Sequence, residues 1–209
     1  MVKKSVMKNI FSLLIITFFV SCASEDRSHY KRLQTLENDI VNIVPILQDN
    51  SAILTDAKGQ RTAILIPGGL LLTSSLNSDK SGELMSLDFP HSSQLQVVIV
   101  GLNKHLMVVR LVSNLNHPNS KGIGFSTTEE LSGTGLFISF SDTNAPYPAI
   151  RLVRDLSDPL NSFTFDELDD GGAFVNMKGE LCGIYSHSDK TFIGPKDFRR
   201  MWLSILESN

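Results

Sequence analysis

Apolar runs rich in branched residues recur along the chain, each closed by a turn signal. In order they read SAILTD, TAILIP, GLLLTS, QLQVVIVGL, LMVVRLVS, TGLFISFS, AIRLVRDL, GAFVNM and ELCGIYS, and the separators include DAKGQ, PGG, LNSDKSG, LNHPNSKG, DTNAPYP and MKGE. Short runs bounded by Gly, Pro, Asn and Asp predict strands, and many of them at near-regular spacing predict an all-β barrel or sandwich. LVSNLNHPNSKGIG reads as the connection between two halves of one domain. The period changes near the end: Phe198, Met201, Trp202 and Ile205 fall on one face of a helix, with Pro195 and Asp197 at its start.

The first segment follows a different pattern. MVKKSVMKNIFSLLIITFFVSC has a basic start, an apolar run from Ile10 to Val20, and then Ser21 and Cys22. The run is shorter than the roughly 18 to 20 apolar residues that cross a bilayer, and the layout is that of a secretory signal. Phe19-Val20-Ser21-Cys22 is similar to the lipobox of bacterial lipoproteins. That resemblance implies a signal peptide over 1–21, acylation of Cys22, and an exported protein anchored to a bacterial inner or outer membrane, facing the periplasm or the surface. An uncleaved anchor and ordinary secretion are the alternatives. Residues 22–36 then form a polar tether, leading into a helix at YKRLQTLENDIVNIV.

Composition narrows the function classes. With 42% hydrophobic residues, 209 residues can bury the core of one domain. The formal charge is -3, and removing Lys3, Lys4 and Lys8 with the leader takes it to about -6. That excludes an electrostatic footprint for nucleic acid. Cys22 and Cys182 are the two cysteines, so an acylated Cys22 leaves Cys182, in ELCGIY, as a small core residue without a disulfide. The histidines are dispersed, no metal-ligand spacing occurs, and DELDD lacks the form of a calcium loop, so no metal or cofactor is expected and DELDD reads as a solvated loop.

Four segments in order carry a family resemblance. AILIPGGLLLTSSLNS has the form of a strand-turn-strand that ends in Leu-Thr-Asn-x-His, HLMVVRLV that of Asp-Leu-Ala-Val-Leu-Lys-Val, and GFSTTEELSGTGLFISFS matches a third strand segment in spacing. LDDGGAFVNMKGELCGIYS stands against Gly-Asn-Ser-Gly-Gly-Pro-Leu-Val-Asn and a Gly-Glu hairpin, with Gly171, Gly172, Val175, Asn176, Gly179, Glu180, Gly183 and Ile184 in register. The chain thus resembles the trypsin-like protease domain of the bacterial HtrA (DegP-like) proteins over most of 37–206. The resemblance implies a double six-stranded β-barrel, over about 37–115 and 122–195, with a C-terminal helix over about 196–207 and no PDZ domain.

The same resemblance places Leu76, His105 and Asp170 at the positions of the catalytic histidine, aspartate and serine. Leu76 cannot take a proton. Asp170 sets a carboxylate where negative charge would develop, and Leu168 replaces the glycine of the oxyanion turn. The reading is a pseudoprotease that binds an envelope protein or peptide along a vestigial cleft of Leu168, Asp170, Gly171, Tyr185 and His187. The alternative is an active serine hydrolase with a relocated site, for which Ser74 and Ser75 could offer hydroxyls. Asp170 and His105 are expected to pair as a salt bridge across the old cleft.

Overall fold

The computed structural model describes residues 30–90, 94–112, 121–128, 132–141 and 147–207. The signal segment, Cys22 and most of the interhalf connection lie outside the described residues. Two units make up the chain, Met1–Asn42 and Ile43–Asn209. In the first, the described residues are the leading turns of helix α1, which runs over residues 30–49 and so begins within the expected tether. The second unit holds everything else.

In that unit Ile43 and Leu47 are buried, and the chain leaves the helix into a closed six-stranded antiparallel barrel. Its strands are β1 (Ser51–Asp56), β2 (Gly59–Ile66), β3 (Leu70–Ser74), β4 (Leu84–Asp88), β5 (Leu95–Leu102) and β6 (Leu106–Leu111), in the order β1-β2-β3-β6-β5-β4. Alternate residues fill it: Ala52 and Leu54, Ala63 and Leu65, Met85 and Leu87, Val97 and Ile99, Met107 and Val109 form one buried cluster. This is the period of two that places every second side chain on one face. On β2 and β3 the other face is buried too, at Ile64, Ile66, Leu70 and Leu72. These strands therefore read as continuous apolar runs.

The second half is a five-stranded sheet, β11-β10-β9-β7-β8, from β7 (Gly135–Ser139), β8 (Ala149–Val153), β9 (Ala173–Asn176), β10 (Leu181–Ser186) and β11 (Thr191–Ile193). A parallel bridge from Phe125 to Leu181 extends it. Its core is aromatic, built on Phe137, Phe174 and Tyr185 with Phe163, Phe165 and Phe192 packed against them. Cys182 is buried here, as expected.

Helix α2 (Pro195–Glu207) turns Phe198, Met201 and Ile205 inward. Trp202 Nε1 donates to the Pro67 carbonyl at 3.0 Å, and Ile205 fills the space over Gly101, where a Cβ would lie 2.5 Å from its Cδ1. The helix thereby clasps the first barrel through the β2–β3 turn and β5.

Candidate functional site

Three segments meet at one cleft of about 440 Å³: the β1–β2 hairpin with Lys58 and Arg61, the loop after β3 with Leu76, and the loop before β9 with Glu167, Leu168 and Asp170. The turn between β10 and β11 closes it with His187. Leu76, Leu168, Asp170 and His187 are thus brought together. Gly171 does not line the cleft but packs on Thr62 and Thr73, and Tyr185 lines the adjoining cavity with His187.

His105 is placed differently from the sequence expectation. Its carbonyl accepts the Ser75 amide at 3.0 Å, next to Leu76, but its Nδ1 lies 2.8 Å from Asp189 Oδ2. The expected pair of His105 with Asp170 is therefore not formed. The reason is local: the β10–β11 turn brings Asp189 to the imidazole, while Asp170 faces the amide of His187, which donates to its Oδ1 at 2.8 Å.

Asp170 is only 7% exposed. Burial pushes its carboxyl above the usual carboxylate range, and the His187 amide, the Ser74 hydroxyl and the Arg61 charge oppose that rise only in part. The Ser74 hydroxyl is fully buried and forms no hydrogen bond of ordinary geometry. It faces Asp170 closely enough to favour the charged carboxylate. Ser75 is also buried, its hydroxyl donating to the Asn103 carbonyl at 2.8 Å, so neither serine presents a free hydroxyl to the cleft.

The DELDD run is a solvated loop only in its first half: Asp166, Glu167 and Leu168 are exposed, but Asp169 and Asp170 are buried. Glu167–Asp169 form a 3₁₀ turn closed by a capping box, in which Asp166 and Asp169 each accept the other end's amide. Asp169 is fully buried. It accepts from Ser139 Oγ at 2.6 Å and pairs with Arg151, whose guanidinium lies over the rings of Phe163 and Phe137 at 4.4 and 4.9 Å. Asp166 and Asp169 thus have structural partners that composition did not suggest.

The turn has a chemical consequence. In the trypsin-like proteases that the sequence resembles, an oxyanion is held by the amide of the nucleophile position and by that of the residue two before it, which the resemblance puts at residues 170 and 168. Here the Leu168 amide donates to Asp166 Oδ1 at 2.9 Å, and the Asp170 amide to the Glu167 carbonyl at 3.2 Å. Both donors are occupied within the chain.

The loop is also fixed from the barrel side. Thr62 N donates to the Asp170 carbonyl at 2.9 Å, and Thr73 Oγ1 to the Thr62 carbonyl at 2.6 Å. Gly171, at φ +73°, sits against this pair, where a Cβ would come within 2.2 Å of the Thr62 oxygen.

Sequence reasoning missed the ion pairs of the cleft wall. Arg61 is 4% exposed, with Nη1 2.7 Å from Asp79 Oδ2 and Nη2 2.6 Å from Asp56 Oδ2; Lys58 Nζ reaches Asp79 Oδ1 at 2.9 Å. The available signal was Arg61 inside the run that leads into TAILIP, a charge that a buried strand carries only when paired.

No family model matches the sequence, and no curated protein matches it. Solved structures do. Rv3671c from M. tuberculosis H37Rv, a serine-to-alanine mutant in an inactive form, is similar with a TM-score of 0.54 and 9% identity over 80% of this chain and 91% of that one. A second structure of the Rv3671c protease, also in an inactive form, gives 0.53 and 9% over 78% and 92%. The serine endoprotease from Yersinia pestis gives 0.60 and 16% over 81% of this chain and 66% of its own. The fold is that of the trypsin-like serine proteases. The first six-stranded barrel and the C-terminal helix are as expected from the sequence, whereas the second half, expected as another six-stranded barrel, is a five-stranded sheet with one added bridge among the described residues; the cleft lies where their loops converge.

Proposed function

We propose that the chain is a trypsin-like domain of the HtrA type that no longer hydrolyses peptide bonds, is held to a membrane of the bacterial cell envelope by acyl chains on Cys22, and binds a protein or peptide in its cleft. The observation that carries this reading is the occupation of the Leu168 and Asp170 amides by Asp166 and Glu167. Without preorganised donors for the developing oxyanion, the largest single source of rate acceleration is missing. Leu76 in the same cleft offers no proton acceptor, and Asp170 opposes the charge that acyl transfer creates.

The test is labelling of the purified protein with a fluorophosphonate probe, together with incubation on unfolded casein. No label and no cleavage are expected. Labelling that disappears on substitution of one serine overturns the inactive reading. For the anchor, Cys22→Ala should abolish palmitate incorporation and membrane partitioning, and persistence of both defeats it.

A further inference from the structure

The cations of the cleft are already committed. Lys58 pairs with Asp79 and Glu83, and Arg61 with Asp56 and Asp79. Glu167 and Asp170 line the same cleft and form no ion pair among the described residues. Carboxylates therefore outnumber cations around it.

Asp170 carries the sharper signal. Its side chain is more than nine-tenths buried, one oxygen accepts the His187 amide, and no hydrogen bond to the other forms among the described residues. A carboxylate held this way is costly to keep charged in the fold, because no cation pairs with it directly among the described residues and Arg61 offsets its burial only in part. A ligand that brings a cationic donor relieves that cost.

We infer that the cleft takes a primary ammonium group of a peptide, with Asp170 as its counter-ion. This rests on the peptide-binding reading above and adds the chemistry of the ligand. An ammonium fits better than a guanidinium because a guanidinium fork engages both oxygens of a carboxylate, and Oδ1 is taken by His187. An ammonium is a compact point charge that one free oxygen can hold. Leu76 and the 37% exposed Leu168 supply apolar walls for the adjoining methylenes.

Protons compete for the same oxygen. The groups facing Asp170 are Arg61 from β2, Tyr185 from β10, and His187 from the turn after it, with Lys58 and Glu167 along the walls. Affinity for the ammonium is present above the Asp170 pKa and falls as pH is lowered through it.

The experiment is fluorescence anisotropy with the full chain in detergent micelles and short Gly/Ala/Leu peptides labelled at the C-terminus. One peptide is N-acetylated with a central lysine, one N-acetylated with a central glutamine, and one lysine-free with a free amino terminus. An ammonium-bearing peptide should bind about ten-fold more tightly than the glutamine peptide, the scale of a hydrogen bond to a charged group. A gain confined to the lysine peptide identifies a side chain as the source, and one confined to the free amine a chain end.

Asp170→Asn should remove the preference and its pH dependence. Leu76→Lys, which puts an ammonium of the chain itself into the cleft, should weaken binding of the cationic peptide; circular dichroism verifies that both variants fold. Equal binding of all peptides, saturable binding of none, or a preference that survives Asp170→Asn overturns the inference. Equal binding leaves the peptide-binding reading standing, whereas fluorophosphonate labelling would overturn inactivity without touching ammonium recognition.

Discussion

Asp79 Oδ2 accepts the Leu76 amide at 2.8 Å and, on the same oxygen, Arg61 Nη1 at 2.7 Å. Leu76 is thus tied through its backbone to a buried ion pair, and the wall of the cleft is only as stable as that pair.

Removing Arg61 should show this directly. Arg61→Met leaves the carboxylates of Asp79 and Asp56 without their main counter-ion, and breaking one partner of a buried pair costs about 3–5 kcal/mol. The expected outcome is a large drop in the urea midpoint without a change in slope. A loss of only a few tenths of a kcal/mol would mean that Lys58 replaces Arg61.

The same pair sets an acid limit. Burial pushes the Asp79 carboxyl up, but hydrogen bonds from Arg61, the Leu76 amide and Lys58 outweigh it and leave the group below its ordinary value. A carboxyl lowered in the folded state stabilises above its unfolded pKa, and that contribution is lost as pH falls through the folded value. Thermal melts should therefore fall steeply below about pH 4, the unfolded range for aspartate. In Asp79→Asn the melting temperature should be lower at pH 7 and this limb flatter.

Asp170 should behave in the opposite sense. Its pKa is raised, chiefly by burial, so the folded state binds more protons than the unfolded one and the charged form carries a penalty fully present above the folded pKa. Asp170→Asn keeps an acceptor for the His187 amide and discards the charge. It should melt higher at pH 7, by about 2–4 °C per kcal/mol recovered for a chain of this size, and the gain should shrink as pH falls toward the unfolded carboxyl value. A lower melting temperature at pH 7 would show that the charge, not its absence, is what the loop requires.

The strands were legible because their cause is local. SAILTD coincides with β1, and the runs ending in ISFS, AIRLV and LCGIYS with β7, β8 and β10, since branched residues between turn formers leave little else to form. The expected α2 face also holds at Phe198, Met201 and Ile205. β4 escaped, although Met85 and Leu87 alternate inward, because Ser86 and Asp88 interrupt its apolar run just after the LNSDKSG turn; β11, three residues long, is too short to show a period. For the site, order along the chain placed Leu76 and Asp170 in one cleft. Asp189 beside His105, Asp79 beside Arg61, and Ser139 and Arg151 beside Asp169 come from other segments, and composition cannot assign them; Asp56, across the hairpin from Arg61, lies only five residues away. DELD could have been read as a capping box, the one local signal that foretells the occupied Leu168 amide.

Glycine positions separate backbone need from sequence habit. Gly171 and Gly179 both have positive φ, but a Cβ at Gly171 would meet the Thr62 oxygen at 2.2 Å and the Thr73 hydroxyl at 2.3 Å, while Gly179 faces open space. Gly179→Ala should cost about 1–2 kcal/mol, the left-handed penalty alone. Gly171→Ala adds displacement of packed backbone and should cost about 2–5 kcal/mol. Chemical denaturation of both variants checks the difference, and equal costs would mean that the Thr62 contact yields easily.

Installing the triad side chains at the positions that the family resemblance implies tests whether the proposed inactivity lies in three side chains or also in the backbone. Leu76→His, His105→Asp and Asp170→Ser together supply base, orienter and nucleophile, but the Leu168 amide still donates to Asp166 and the amide at 170 to the Glu167 carbonyl. His105 also sits beside Asp189, so the new aspartate at 105 would face a like charge rather than only an imidazole. The triple variant should therefore show no casein cleavage above background. Adding Leu168→Gly and Asp166→Ala removes the cap and frees the turn to rearrange, so any recovered fluorophosphonate labelling should first appear in the five-fold variant, by about 10²–10³-fold per restored donor. Full labelling in the triple variant would show that the 3₁₀ turn reopens at no cost and that the side chains at residues 76, 105 and 170 alone carry the proposed inactivity.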